Sequence, residues 1–186
     1  MTCCRVSNRT MFWTIVLLGF ALDLGSKYAA FAAYPPGGRW EIIPGIFSII
    51  HQERLNHGAL FGFLNNHEDL DQARTANGIF MLVSAIAVVA IVFWSFRGSI
   101  AKDRWLTFAL ALILSGAAGN FYDRAVYGGV RDFIWFYYQP HFPVGWPVFN
   151  LADTWLVCGA GVLLLHGMRS KPEVTPALEE QAAAAG

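Results

Sequence analysis

The chain has 186 residues, of which 55% are hydrophobic and only 14% charged. A soluble domain carries about a quarter charged residues, so the composition points to a membrane protein. The formal net charge is zero, which leaves no basic face to bind nucleic acid.

Four apolar runs are long enough to cross a bilayer, which takes about 20 residues each. In chain order they span about 11–33, 73–96, 105–122 and 147–167. Backbone polar groups in lipid must bond within the segment, so these runs are expected to be helices. The first run follows Arg5 and Arg9 and ends near Ala30-Phe31-Ala32, in the manner of a cleavable signal peptide. It also carries Asp23 and Lys27, which cleavage would discard, and is therefore read as a retained helix.

The loop of about 34–72 follows. Its stretch from Ile42 to Leu64 alternates and is rich in β-branched and aromatic residues, which suits a short sheet. Between helices 2 and 3 lie Arg97, Lys102 and Arg104, and after helix 4 come Arg169 and Lys171. With Arg5 and Arg9 these fall on one side of an even number of spans, which puts both termini in the cytoplasm. The loops of about 34–72 and 123–146 then face outward. The second of these carries Phe133, Trp135, Phe136, Tyr137 and Tyr138, then Phe142 and Trp146, a set suited to headgroup depth. The expected architecture is a membrane all-α fold: four transmembrane helices with small extracytoplasmic β-rich elements. Residues 1–170 form one membrane-embedded domain, and 171–186 a disordered cytoplasmic tail.

Acids at membrane depth are costly and mark function. Asp23 and Lys27 are spaced i, i+4 and share a helix face. Helix 3 ends in Gly119-Asn-Phe-Tyr-Asp-Arg124, and helix 4 opens with Phe149-Asn-Leu-Ala-Asp153. Both contain Asn-x-x-Asp, at similar depth near the outer surface. The spacing lets each Asn orient its own Asp or a common substrate, while Asn150 also suits a helix cap. Asp123 sits at a helix end, where the dipole disfavours an acid. Gly128 and Gly129 permit a turn that returns Asp132 over the helix ends. Three carboxylates can thus converge, and spacing leaves open which two pair. Three cysteines, Cys3, Cys4 and Cys158, make no disulfide framework. Five histidines lack ligand spacing, so no metal site is expected.

In order along the chain stand Asp23 with Lys27, Asn56-His-Gly-Ala-Leu-Phe-Gly62, Gly116-Ala-Ala-Gly-Asn-Phe-Tyr-Asp-Arg124, Val130-Arg-Asp-Phe-Ile134 and Phe149-Asn-Leu-Ala-Asp153. This set resembles the lipoprotein signal peptidase (signal peptidase II) family over about residues 11–168. Leu60 and Leu24 depart from the usual small residue and Gln. The resemblance implies a membrane aspartic endopeptidase that cuts prolipoproteins just before a diacylglyceryl-modified Cys. It implies Asp132 and Asp153 as the catalytic pair. Asn56, Gly58, Asn120, Arg124 and Asn150 fall at substrate-binding or bracing positions. Asp23, Lys27 and Asp123 become supporting residues, with Asp123 tied to Arg124. It further implies no cofactor, a monomer among membrane lipids in the bacterial inner membrane, and sensitivity to globomycin-type inhibitors.

Other chemistries fit less well. Ser115-Gly116 faintly resembles a rhomboid nucleophile, but Ile113 stands where Gly is wanted and His166 lies at the wrong end. Ser26 and Lys27 are adjacent and diverge on a helix. A presenilin-type Gly-x-Gly-Asp is absent. A proton-relay transporter would space its polar groups across the membrane, whereas these gather at one end. An inactive scaffold has no reason to carry every motif acid. The run Gly116 to Gly119 suits either a transmembrane guest or close helix packing.

Overall fold

A computed structural model describes residues 6–58, 70–97, 103–137 and 146–169. Cys3, Cys4, Leu60, Tyr138, Phe142 and the 171–186 tail lie outside the described residues. Four helices are long and apolar enough to span a membrane: α1 (Asn8–Ala33), α2 (Leu70–Phe96), α3 (Arg104–Tyr127) and α4 (Leu151–Arg169). The other three pack mainly on α3. Its span is 56% buried, against 11% for α2, so α3 is the core helix and α2 presents most of its surface outward.

Lipid supplies little hydrophobic drive between helices, so their approach depends on small residues. Gly119 of α3 is such a point. A methyl group there would meet the Asp23 carboxylate of α1 and the Ala152 side chain of α4. Gly116 and Gly119 thus serve helix packing, whereas Ala117 faces a cavity. At one end of the bundle, Phe12, Val16, Ile91, Leu110, Ala111 and Leu114 form an apolar core. Polar side chains fill the other end.

The chain segments between the helices at that polar end form a three-stranded sheet. Strands β1 (Arg39–Ile43) and β2 (Phe47–Ile50) form an antiparallel hairpin, and β3 (Ile134–Phe136) pairs antiparallel with β2. The hairpin turns through Gly45 at φ 76°, a left-handed conformation suited to glycine. The sheet therefore draws on both long loops. The aromatic segment supplies its third strand: Phe136 stacks on Phe47, while Trp135 and Tyr137 stack on each other and the Arg39 guanidinium lies against both rings.

Four helix boundaries differ from expectation by three residues or more. Helix α3 runs to Tyr127 rather than 122. Asp123 and Arg124 find partners inside the protein, so the helix continues past them until Gly128, at φ 76°, caps it with N–H to Arg124 O. Helix α4 starts at Leu151 rather than 147. Phe149 is extended and exchanges backbone hydrogen bonds with Ile134, at 3.0 and 2.8 Å, which delays the helix. The starts of α1 and α2 lie three residues earlier than read, and Ser7 caps α1 by accepting the Thr10 N–H.

Candidate active site

Helix α4 begins with a reciprocal cap. The Asn150 side-chain oxygen accepts the Asp153 N–H at 3.0 Å, and Asp153 Oδ2 accepts the Asn150 N–H at 3.2 Å. Capping leaves the Asn150 Nδ2 group unused, and it donates to Asp132 Oδ1 at 2.6 Å. Asn150 therefore holds Asp132 and Asp153 at once. The Asp132 carboxyl takes a second bond, Asn56 Nδ2 to Oδ2 at 2.9 Å, and Asp153 takes Asn120 Nδ2 to Oδ1 at 2.8 Å. Both carboxyls are buried.

Of the two Asn-x-x-Asp motifs, only the second bonds within itself. Asn120 bonds Asp153 of the other helix, not Asp123 three residues on. Its amide is oriented by Lys27, whose ammonium donates to Asn120 Oδ1 at 3.2 Å and so turns Nδ2 toward Asp153. The same ammonium contacts Asp23 at 2.8 Å and Asp123 at 3.3 Å, all three side chains fully buried. The other oxygen of Asp23 accepts the Ala152 N–H at 2.8 Å, joining α1 to the first turn of α4.

Asp123 is not tied to Arg124. It pairs with Arg131, accepting its backbone N–H, Nε and Nη2 at 3.0, 3.2 and 2.7 Å. Successive helix residues point about 100° apart, so Arg124 faces elsewhere. Its Nη2 donates to Gly58 O at 2.6 Å, and its Nε is buried without a partner among the described residues. Gly58 is itself held by its N–H to Asn56 Oδ1 at 2.9 Å.

The ten residues singled out in the sequence thus meet at one end of the bundle, linked directly or through a shared neighbour. Arg131 was not among them, and it is central to the network. Its place within the Val-x-Asp-Phe stretch was the one available signal. Burial, with the Asp153 charge next, pushes the Asp132 carboxyl up to about 8, against the opposing bonds from Asn56 and Asn150.

Beside the carboxyls lies a cavity of ≈ 200 Å³ between α2 and α4, floored by α3. Its polar end is Asn56, Asn120, Arg124 and Asp153, and its apolar wall includes Phe80 and Ala87 of α2. Asp132 does not itself line the cavity but bonds to Asn56, which does.

The family model for signal peptidase (SPase) II matches residues 15–169. The lipoprotein signal peptidase of Aeromonas hydrophila subsp. hydrophila is 37% identical over 164 residues, 87% of this chain and 92% of that protein. The one from Solibacter usitatus is 35% identical over 157 residues, 84% and 90% of the two chains. In fold, the chain is similar to a bacterial membrane enzyme solved by the in meso method at 2.3 Å resolution. The TM-score is 0.69 at 24% identity, covering 89% of this chain and 94% of that one. A family match over most of the chain, with relatives at this identity and coverage, makes this protein a member of the signal peptidase II family.

Proposed function

We propose that the chain is an aspartic endopeptidase that removes the signal peptide from diacylglyceryl-modified prolipoproteins, with Asp132 and Asp153 as its catalytic pair. One observation carries the assignment: Asn150 donates to both carboxyls at once, 2.6 Å to Asp132 and 3.2 Å to Asp153. Family membership supplies the peptidase activity, and the lipoprotein signal peptidases named above supply the substrate class.

Charge balance supports a shared proton. The buried acidic and basic side chains among the described residues are the carboxyls of Asp23, Asp123, Asp132 and Asp153 and the cations Lys27, Arg124 and Arg131. Buried charge is tolerated when paired. One proton on the Asp132–Asp153 pair makes the cluster neutral. Like charges in contact cannot both ionise easily, and the raised Asp132 keeps that proton at neutral pH. The pair titrates as a unit. Its ionised member takes a proton from a water reached from the cavity, and that water attacks the scissile carbonyl. Its protonated member donates a hydrogen bond to the carbonyl oxygen; as the C–N bond breaks, the proton taken from the water passes to the leaving amine, which restores the singly protonated pair.

Arg124 Nε supplies a ready donor for a substrate backbone carbonyl, because it is buried without a partner among the described residues. Asn56, Gly58 and Asn120 line or brace the same end of the cavity. A signal helix would come in from lipid between α2 and α4, its acyl chains still in the bilayer. The polar end then lies near the outer surface of the inner membrane, with both termini cytoplasmic. The bias of Arg97, Arg104 and Arg169 toward the opposite end supports this orientation. All site residues come from one chain, so a monomer suffices, and a globomycin-type inhibitor would occupy the same cavity.

The test is processing of a diacylglyceryl-modified precursor by the purified protein. Asp132→Asn and Asp153→Asn should each lower turnover by roughly 10²–10⁴-fold or more, with the protein still in the membrane. Near-parental turnover in either variant removes that residue from the pair.

A further inference from the structure

Arg131 fills the open position of Val-x-Asp-Phe, and the family resemblance gives it no task. Its side chain is only 5% exposed and is held from three directions. Asp123 of α3 takes its backbone N–H and both guanidinium donors, as described above. The Tyr28 ring of α1 and the Tyr127 ring of α3 flank the guanidinium, at 4.4 and 4.3 Å from their centroids. The Tyr28 hydroxyl lies 2.8 Å from that of Tyr127 and 2.9 Å from that of Tyr122, which links the two rings to each other and to α3.

The neighbouring residues are also fixed. Val130 exchanges both backbone hydrogen bonds with Asn56, at 2.8 and 2.9 Å, and Phe133 N–H donates to Phe149 O at 3.1 Å. Arg131 thus anchors the return segment to the rigid helices at the residue immediately before Asp132, whereas the backbone bonds of Val130 and Phe133 go to Asn56, Phe149 and Ile50, all outside the helices.

We infer that Arg131 is a positioning residue for Asp132. The clamp formed by Asp123, Tyr28 and Tyr127 fixes the backbone from which the Asp132 carboxyl reaches Asn150. The inference rests on the assignment of Asp132 to the catalytic pair. Arg131 lies outside the cavity lining, so its loss should misplace the carboxyl without weakening substrate binding. Lysine keeps the charge opposite Asp123 but cannot supply the planar fork or the two-sided stack.

The experiment measures kcat and KM of Arg131→Lys and Arg131→Gln on a diacylglyceryl-modified precursor peptide in detergent micelles. Rates are scaled to the folded fraction found by thermal unfolding, and Asp132→Asn is run in parallel. A displacement of 1 Å costs about 100-fold in rate. Arg131→Gln should therefore lose roughly 10- to 100-fold in kcat with KM within about twofold of the parent. Arg131→Lys should fold like the parent and fall between the two in kcat. Parental kcat per folded molecule in both variants overturns the inference, as does a raised KM with kcat unchanged. In either case an inactive Asp132→Asn leaves the dyad reading standing, whereas an active one removes the dyad reading itself.

Discussion

Amide side chains decide how the two carboxyls present themselves. Asn120 can turn either end of its amide toward Asp153, and Lys27 selects the donor end by occupying the oxygen. Asn150 is similarly committed, because its oxygen is spent on the Asp153 N–H and leaves only Nδ2 for Asp132. These bonds favour ionised carboxylates, while burial and mutual repulsion favour the protonated form. At Asp132 the latter prevail, and its carboxyl is raised to about 8. The sign for activity follows. Below that value the pair keeps the proton it needs for the scissile carbonyl; above it the proton is lost. We expect kcat/KM to fall as pH rises through about 8. A pH–rate profile in detergent micelles checks this, and a rate that stays level a full unit higher contradicts it. The acids themselves were legible in the sequence, because a carboxylate in an apolar run is conspicuous. Their partners were not. Helical spacing suggested that Asn120 serves Asp123, yet the contacts cross between helices. Asp123 also looked to its neighbour Arg124, although adjacent residues on a helix diverge.

At the scale of elements, α3 carries the arrangement because it touches all three other helices. The close approach of α1, α3 and α4 at Gly119 brings Asp23 within reach of the Ala152 N–H and Lys27 within reach of Asn120. Gly119→Ala puts a methyl group against Asp23 and Ala152, so the buried Asp23 carboxylate or a helix must shift. Overpacking of this kind costs about 1–3 kcal/mol. We expect a lowered unfolding temperature in detergent together with reduced turnover, since the same shift moves Asn120. Unchanged unfolding would mean that the helices absorb the methyl freely. The four helices were legible from hydropathy alone, since each run had to satisfy its backbone internally. Their ends were less so. Hydropathy stops at Tyr122, but α3 continues to Tyr127 because Asp123 and Arg124 are paired within the protein. The sheet was half visible: alternation marked the first loop, while the third strand came from an aromatic segment that reads as suited to headgroup depth.

For the whole molecule, polarity is graded along the bundle, from an apolar core at one end to a buried ionic cluster at the other. The cavity opens beside that cluster rather than through the middle of the bundle, which suits a substrate that stays in the bilayer until its scissile bond reaches water. Its wall on α2 follows one helix face, with Phe80, Val83, Ser84 and Ala87 spaced for a helical stripe. Nothing in the sequence marked these residues, since an apolar stripe on a spanning helix reads as lipid contact or packing. Ala87 lies nearly two turns along α2 from Phe80, which shares the polar end of the cavity with Arg124, 5.7 Å from its ring centroid. Ala87→Trp should therefore fill space that the signal helix occupies without disturbing Asp132 or Asp153. Because the bulk obstructs binding and not the chemical step, KM should rise about tenfold, equivalent to ~1.4 kcal/mol of binding. The kcat should stay near parental. Kinetics on full-length and truncated precursors separate the cases. A truncated peptide that leaves this part of the cavity empty should be cleaved equally by parent and variant. If Ala87→Trp instead binds the full-length precursor as the parent does, the signal helix does not lie between α2 and α4.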